Sequence, residues 1–256
     1  MTTPVTARFL LAAVLHLIAG GVCADAQTVD RPGIRVRLEP EVRDDMSGVA
    51  WSAMTQEFRD IWSREGVDVD WVGANDTGTP ADVSLPVVFD DRELRKHDPK
   101  DKDAFGVTLF AGRSQRILVS VRRARFVVAA HRGLADSGDS MTLDIAHGRL
   151  LGRVVAHEVG HALLLTLRHA AQGLMSPQLE QRDVTPLGAA QFALSTSDRE
   201  RLATRFSNPE TAAQRADASR RQPVSGPTAS ATAGAAVTPI TWTDAPPVPS
   251  RPRARR

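Results

Sequence analysis

The sequence predicts one α/β domain, of the α+β kind, in which a mixed, twisted sheet carries helices and an apolar helix lies at the centre. Two observations predict this fold class. Segments that alternate apolar and polar residues are interspersed along the chain with segments of helical periodicity. The chain has 256 residues, 42% of them hydrophobic and 24% charged, which suits a globular protein with one sizeable core.

The individual elements rest on local patterns. Alternation marks the strands, although Pro86 weakens the third because proline cannot donate to a strand ladder. Gly66 marks the end of the first helix, and Ser197 with Glu200 forms a capping box for a last helix. In order, the predictions are a strand at residues 34–38, a helix at 47–64, strands at 67–72 and 83–89, a charged loop at 90–103, strands at 106–110 and 116–121, and helices at 122–131 and 142–165.

Residues 1–26 have the pattern of an export signal. Arg8 precedes an apolar run of about 14 residues, and small residues in A-x-A form at 24–26 predict cleavage before Gln27. The run is shorter than the roughly 20 residues that a membrane span needs. Lipid attachment at Cys23 fits less well because Val22 precedes it, and an uncleaved anchor is a further alternative. We therefore expect a secreted or periplasmic protein without a membrane span in the mature chain.

Residues 207–256 differ from the rest in composition. Ala, Pro, Thr, Ser and Arg dominate, periodicity is absent, and seven Arg face three acidic residues, for a net charge of +4. Such a segment predicts a disordered tail, with residues 240–242 as its one apolar spot. The body at 27–206 carries a net charge of −2, which argues against a nucleic-acid-binding core. We expect the domain to be a monomer. Cys23 is the only cysteine, so metal ligands must come from His and carboxylates.

Residues 157–169 read HEVGHALLLTLRH and carry most of the functional information. His157 and His161 are four apart, so on a helix they share one face and can bind one metal ion. Glu158 lies where it can act as general base on a metal-bound water. A chain of this composition contains HExxH by chance only about 0.007 times, so coincidence is a poor explanation. The surrounding residues are apolar, and burying these side chains without a metal would cost several kcal/mol.

The third metal ligand has three candidates. His169 lies eight residues beyond His161, so the chain must turn back, and residues 166–168 are expected to carry that turn. Glu180 and Asp183 compete, because other zinc hydrolases take a carboxylate from a later helix. Ser176-Pro177 and the absence of helical periodicity around these acids favour His169. The remaining His97, His131 and His147 are expected to be structural or solvated.

The segment HEVGHALLLTLRHAAQGLMSP resembles the active-site stretch of the metzincin clan of zinc peptidases, including its matrix metalloproteinase-like members. Those proteins read HExxHxxGxxH, followed by a turn with a methionine under the zinc. Residues 173–177 resemble that Met-turn, and Met175 lies 18 positions after the first His, as in the matrix metalloproteinases. Leu164 and Leu167 stand where the family has Gly and the third His. Some secreted bacterial zincins are similar to this variant, with HExGHxLL, a His eight positions beyond the second His, and Gly-x-Met after it.

The motif and the resemblance together imply a secreted zinc-dependent endopeptidase of zincin fold, with a central active-site helix, a Met-turn and a C-terminal helix. The implied roles are Zn²⁺ bound by His157, His161 and His169, a zinc-bound water activated by Glu158, and Met175 beneath the ion. An extended peptide would pair with the strand at 106–110. The chain contains no Tyr, so backbone N–H groups, Arg168 or the zinc would stabilise the oxyanion. The alternative is a secreted zinc-binding domain without peptidase activity.

Overall fold

A computed structural model describes most of the predicted body of the chain. The described residues are 33–73, 80–97, 104–112, 114–131, 134, 139–179, 181–184, 189–207 and 241–242. The predicted signal peptide, Glu180 and most of the predicted tail lie outside them. Among the described residues, none of the helices combines the length and the apolar character that crossing a membrane requires.

A five-stranded mixed sheet forms one layer of the domain. Its strands are β1 (Ile34–Val42), β2 (Val67–Trp71), β3 (Val83–Phe89), β4 (Gly106–Ala111) and β5 (Ser114–Val119). They lie in the order β2-β1-β3-β5-β4, and only β4 runs antiparallel to its neighbour. The predicted mixed sheet is confirmed, and β3 runs through Pro86, which lies opposite Glu39 of β1. Because β4 is at the edge, one side of its backbone has no partner within this sheet.

The described part of the chain contains five helices, and one of them corrects a prediction. They are α1 (Gly48–Ser63), α2 (Asp91–His97), α3 (Val121–Ala130), α4 (Ser140–Leu164) and α5 (Thr196–Ser207). The charged loop predicted at 90–103 is wrong over its first half, because α2 forms there. Asp90 begins that helix by accepting hydrogen bonds from the N–H groups of Arg92 (2.8 Å) and Glu93 (3.2 Å). Leu94 holds it against a small cluster with Val107 and Leu118.

The start of α5 also differs from the sequence prediction. The hydroxyl of Ser195, and not that of Ser197, accepts a hydrogen bond from the N–H of Asp198 (3.2 Å) and donates one to its carboxylate (2.6 Å). The chain therefore turns into the helix two residues earlier than the predicted capping box places it. Arg199 then fixes α5 to the end of α1 through two hydrogen bonds to Glu65, of 2.7 and 3.1 Å.

The long helix α4 packs on α1 at two glycines. A Cβ atom added to Gly152 would lie 2.7 Å from the carbonyl oxygen of Met54, and one added to Gly148 would overlap the backbone of Ala50. These glycines allow the two helix backbones to approach closely, which fixes where α4 crosses the core. Beside them, Arg153 is 1% exposed and donates a 2.8 Å hydrogen bond to Glu57 of α1.

Two very short strands lie apart from the main sheet. β6 (Gln178–Leu179) pairs in parallel with β7 (Thr241–Trp242), with Gln178 opposite Thr241 and Leu179 opposite Trp242. β7 falls within the tail that the sequence predicts to be disordered, at its one apolar spot. This part of the tail therefore contacts the body of the protein.

Candidate metal centre

Helix α4 and the turn that follows it position three histidines. His157 and His161 lie one turn apart on α4 and are 1% and 0% exposed. The helix ends at Leu164. The next residue, Leu165, adopts left-handed backbone angles of φ 48° and ψ 46°, and the N–H groups of Leu165 and Thr166 both donate to the carbonyl of His161. The reversal thus begins at Leu165, one residue before the predicted turn at 166–168, and it returns His169 to the histidine pair.

The three imidazoles converge on one point. The Nε2 atom of His161 lies 3.0 Å from Nε2 of His157 and 3.2 Å from Nε2 of His169. One ligand nitrogen from each of the three residues lies within 4.8 Å of the others. The histidine group is therefore positioned to hold a metal ion, and His169 belongs to it as predicted.

Backbone carbonyls determine which ring nitrogens face that point. Nδ1 of His157 donates a 2.8 Å hydrogen bond to the carbonyl of Leu174, and Nδ1 of His161 donates a 2.7 Å hydrogen bond to that of Thr166. Because carbonyls only accept, both Nδ1 atoms carry the proton, and in neutral rings the Nε2 atoms present lone pairs to each other. Burial lowers the pKa of His157 well below 6.5 and that of His161 to about 4, which favours the neutral rings.

Two lone pairs facing each other at 3.0 Å in a buried site repel, and a bound cation turns this repulsion into coordination. In a tetrahedral site with Zn–N distances of about 2.0–2.1 Å, ligand nitrogens lie about 3.3 Å apart. The observed separations of 3.0 and 3.2 Å are close to that value. Neutral imidazoles suit zinc, copper, iron and nickel, so the donor set fits a transition metal.

Met175 lies under the helix that carries the ligands. Its side chain is 1% exposed, and a Cβ atom on Gly160 would overlap its sulfur, so the thioether packs directly against the backbone of α4 next to His161. Gly173 makes the preceding turn with a φ of 78°, and the N–H of Leu174 donates to the carbonyl of Ala193 (2.9 Å). The same loop supplies the Leu174 carbonyl that orients His157.

Glu158 follows His157 on α4 and faces the edge strand β4. It is 0% exposed, and the hydroxyl of Thr108 on β4 lies within hydrogen-bonding distance of its Oε2 (2.7 Å) and of its backbone carbonyl (2.8 Å). Gly106 leaves room for it, because a Cβ there would lie 3.0 Å from its Cγ. Among the described residues, Oε1 has no hydrogen-bond partner. Burial raises the pKa of Glu158 to about 8, although the hydrogen bond from Thr108 acts to lower it. The carboxyl group can therefore hold a proton near neutral pH.

The other candidate ligands lie elsewhere. Asp183 is in a 3₁₀ turn, where its carboxylate accepts from Gln191 (3.3 Å) and its carbonyl accepts from Arg153. It is not part of the histidine group, and Glu180 lies outside the described residues. His147 is buried and its Nε2 lies 3.1 Å from the carbonyl of Val121, which fits the structural role predicted for it.

A cavity of about 320 Å³ opens beside His157. The loop that contains Met175, the strand β6 and the 3₁₀ segments around Asp183 and Gln191 form its walls. Its lining includes polar side chains, those of Arg153, Gln172, Ser176, Gln178, Asp183 and Gln191.

Sequence reasoning missed Thr108 and the small residues of α4. Gly148, Gly152, Ala156 and Gly160 recur every four residues, which places them along one helical face. That spacing is readable in the sequence and was the available signal, whereas nothing in the sequence relates Thr108 to Glu158. No protein family, curated protein or solved structure matches the chain.

Proposed function

We propose that the protein is a secreted zinc-dependent endopeptidase of metzincin-like type. One observation carries the proposal. Three neutral imidazole nitrogens converge on one point, and the residue after the first of them is a buried carboxylate that faces the edge strand of the sheet. A metal site of three protein ligands with a neighbouring general base is the arrangement that catalytic zinc sites use.

The chemistry divides between the ion and the chain. The Nε2 atoms of His157, His161 and His169 would hold the zinc ion, which would supply Lewis acidity and make a water easier to deprotonate. Glu158 takes a proton from the attacking water through Oε1, the oxygen without a partner among the described residues, and passes it to the leaving amide nitrogen. Thr108 holds Oε2 and so orients the carboxylate.

The substrate is a peptide in extended conformation. β4 lies at the edge of the sheet, and its residues Gly106 and Thr108 contact Glu158. A peptide that adds to the free side of β4 as a further strand therefore passes close to the general base. Main-chain pairing of this kind holds the scissile bond without demanding a particular sequence.

Replacing Glu158 by Gln tests the proposal directly. The zinc-loaded wild-type chain should cleave a broad peptide library, and Glu158→Gln, with equal zinc content and equal melting temperature, should fall by about 10²–10⁴-fold in rate. Chelation should abolish wild-type cleavage, and added zinc should restore it. Cleavage no faster than that of Glu158→Gln across the library would reject the peptidase.

The alternative is a zinc-binding domain without peptidase activity. Its support is the complete burial of Glu158, because a general base must share its site with water. In that case the zinc content of the wild type would match that of Glu158→Gln, and neither would turn over any peptide in the library.

Secretion belongs to the same proposal and has its own test. Mass spectrometry of the exported protein should place the amino terminus at or near Gln27. A terminus at a lipid-modified Cys23 would replace secretion by membrane anchoring.

A further inference from the structure

The pairing of β6 with β7 brings a distant part of the chain to the candidate active site. β6 follows the Met175 loop directly, and both of its residues, Gln178 and Leu179, line the cavity that also contains His157. β7 lies beside this wall through a parallel pairing, although it is far away in sequence. The contact therefore joins the tail to the surface at which a substrate would be bound.

The wall is suited to hold an extended peptide. Leu179 is 3% exposed and anchors β6 in the core, while the hydroxyl of Ser176 donates a 3.2 Å hydrogen bond to the carbonyl of Gln178. A fixed, short strand presents N–H and C=O groups to a neighbouring extended chain. A peptide that entered the cavity beside His157 would lie next to β6, because Gln178 and Leu179 line that cavity.

We propose that Thr241 and Trp242 occupy the position on β6 that the extended substrate uses, so that the C-terminal tail is a competitive inhibitor within the same chain. The inference rests on the proposed function, because the ligand displaced is the peptide substrate. Only two residues, Thr241 and Trp242, pair with β6, so the tail binds weakly and a substrate at sufficient concentration displaces it. A segment on the same chain acts at an effective concentration on the order of 1 mM, so a tail with an intrinsic dissociation constant of about 0.1–1 mM would weaken substrate binding about two- to tenfold.

The test uses the full chain with β7 disabled. The variant Thr241→Pro with Trp242→Pro removes both backbone N–H groups of β7 and prevents strand pairing. The matched control, Thr232→Pro with Ala233→Pro, places the same two prolines in the tail outside β7. A fluorescein-labelled peptide of residues 236–247 serves as probe, because it contains β7 and binds without requiring turnover.

The β7 variant should bind the probe about two- to tenfold more tightly than the wild type, and the control should behave as the wild type. For a peptide that the wild type cleaves, KM should fall by the same factor with kcat unchanged, and the unlabelled peptide should inhibit the variant competitively. Equal probe affinity in all three chains, or cleavage with an unchanged KM, would overturn the inference. If the β7 variant binds the probe more tightly than the other two chains but no chain cleaves any peptide, the peptidase is rejected. β6 would then be a peptide-binding strand that the tail occupies.

Discussion

The hydrogen bond from Thr108 to Glu158 yields a sharp prediction. Replacing Thr108 by Val keeps the shape of the side chain and removes its hydroxyl, which lies 2.7 Å from Oε2 of Glu158 in a fully buried site. The carboxylate then loses the one hydrogen bond to its side chain that the described residues provide. We therefore expect both stability and catalysis to suffer.

The magnitude follows from the kind of bond. Removing the donor leaves a buried oxygen of Glu158 without its partner, which costs about 1–3 kcal/mol, and Val fills the same volume, so no cavity adds to the cost. The free energy of unfolding of the zinc-loaded chain should fall by about that amount, measured by urea denaturation. The rate constant kcat should fall at least about tenfold, since a loosely held general base is poorly aligned.

Thr108→Ser is the matched control. It retains the hydroxyl and loses one methyl group, which costs about 0.8 kcal/mol and should leave kcat close to that of the wild type. If Thr108→Val and Thr108→Ser have the same kcat and the same stability, the hydroxyl does not orient Glu158 and the role assigned to Thr108 is wrong.

Three further predictions concern the metal site, the helix contact and a buried acid. His169→Ala should weaken zinc binding as much as His161→Ala does, by more than about 100-fold in a competitive chelator titration; indifference at His169 would remove it from the site. Gly152→Ala should cost about 1–3 kcal/mol by urea denaturation, because its Cβ would meet the backbone of α1, whereas Gly48→Ala, which has open space, should cost nothing; equal effects would contradict this. Burial raises the pKa of Asp91 above 3.8, and nearby acidic charge adds to the rise. Its neutral form is therefore favoured by folding, and the stability gained from it below pH 3.8 is lost as pH rises through the folded pKa. Asp91→Asn should stabilise the protein at neutral pH and have little effect in acid, and a uniform effect at both would refute that cause.

The sequence predicts those parts of the fold and site that local patterns encode. Strand alternation and helical periodicity reflect which face is buried, so most elements are found where they are expected, and the spacing from His161 to His169 predicts a third ligand. Helix α2 was not predicted because Leu94 is its single buried apolar residue, so the segment shows no helical periodicity. The turn after α4 was predicted to within one residue, but not its left-handed conformation, because such angles are typical of Gly and here fall on Leu165. The role of Thr108 was not predicted because its contact with Glu158 depends on how β4 packs against α4, which is tertiary structure.

The end of α4 has a consequence for the order in which the protein is made. Arg205, on the last described helix, donates a 2.8 Å hydrogen bond to the carbonyl of Ala162 and another to that of Leu163, and so satisfies two of the final carbonyls of the ligand-bearing helix. A chain growing on a ribosome has all three histidines in place well before residue 205 emerges. Until then the helix end from which the chain turns back to His169 is incomplete. The end of α4, and with it the turn that leads to His169, therefore gains these two hydrogen bonds only after α5 has been made.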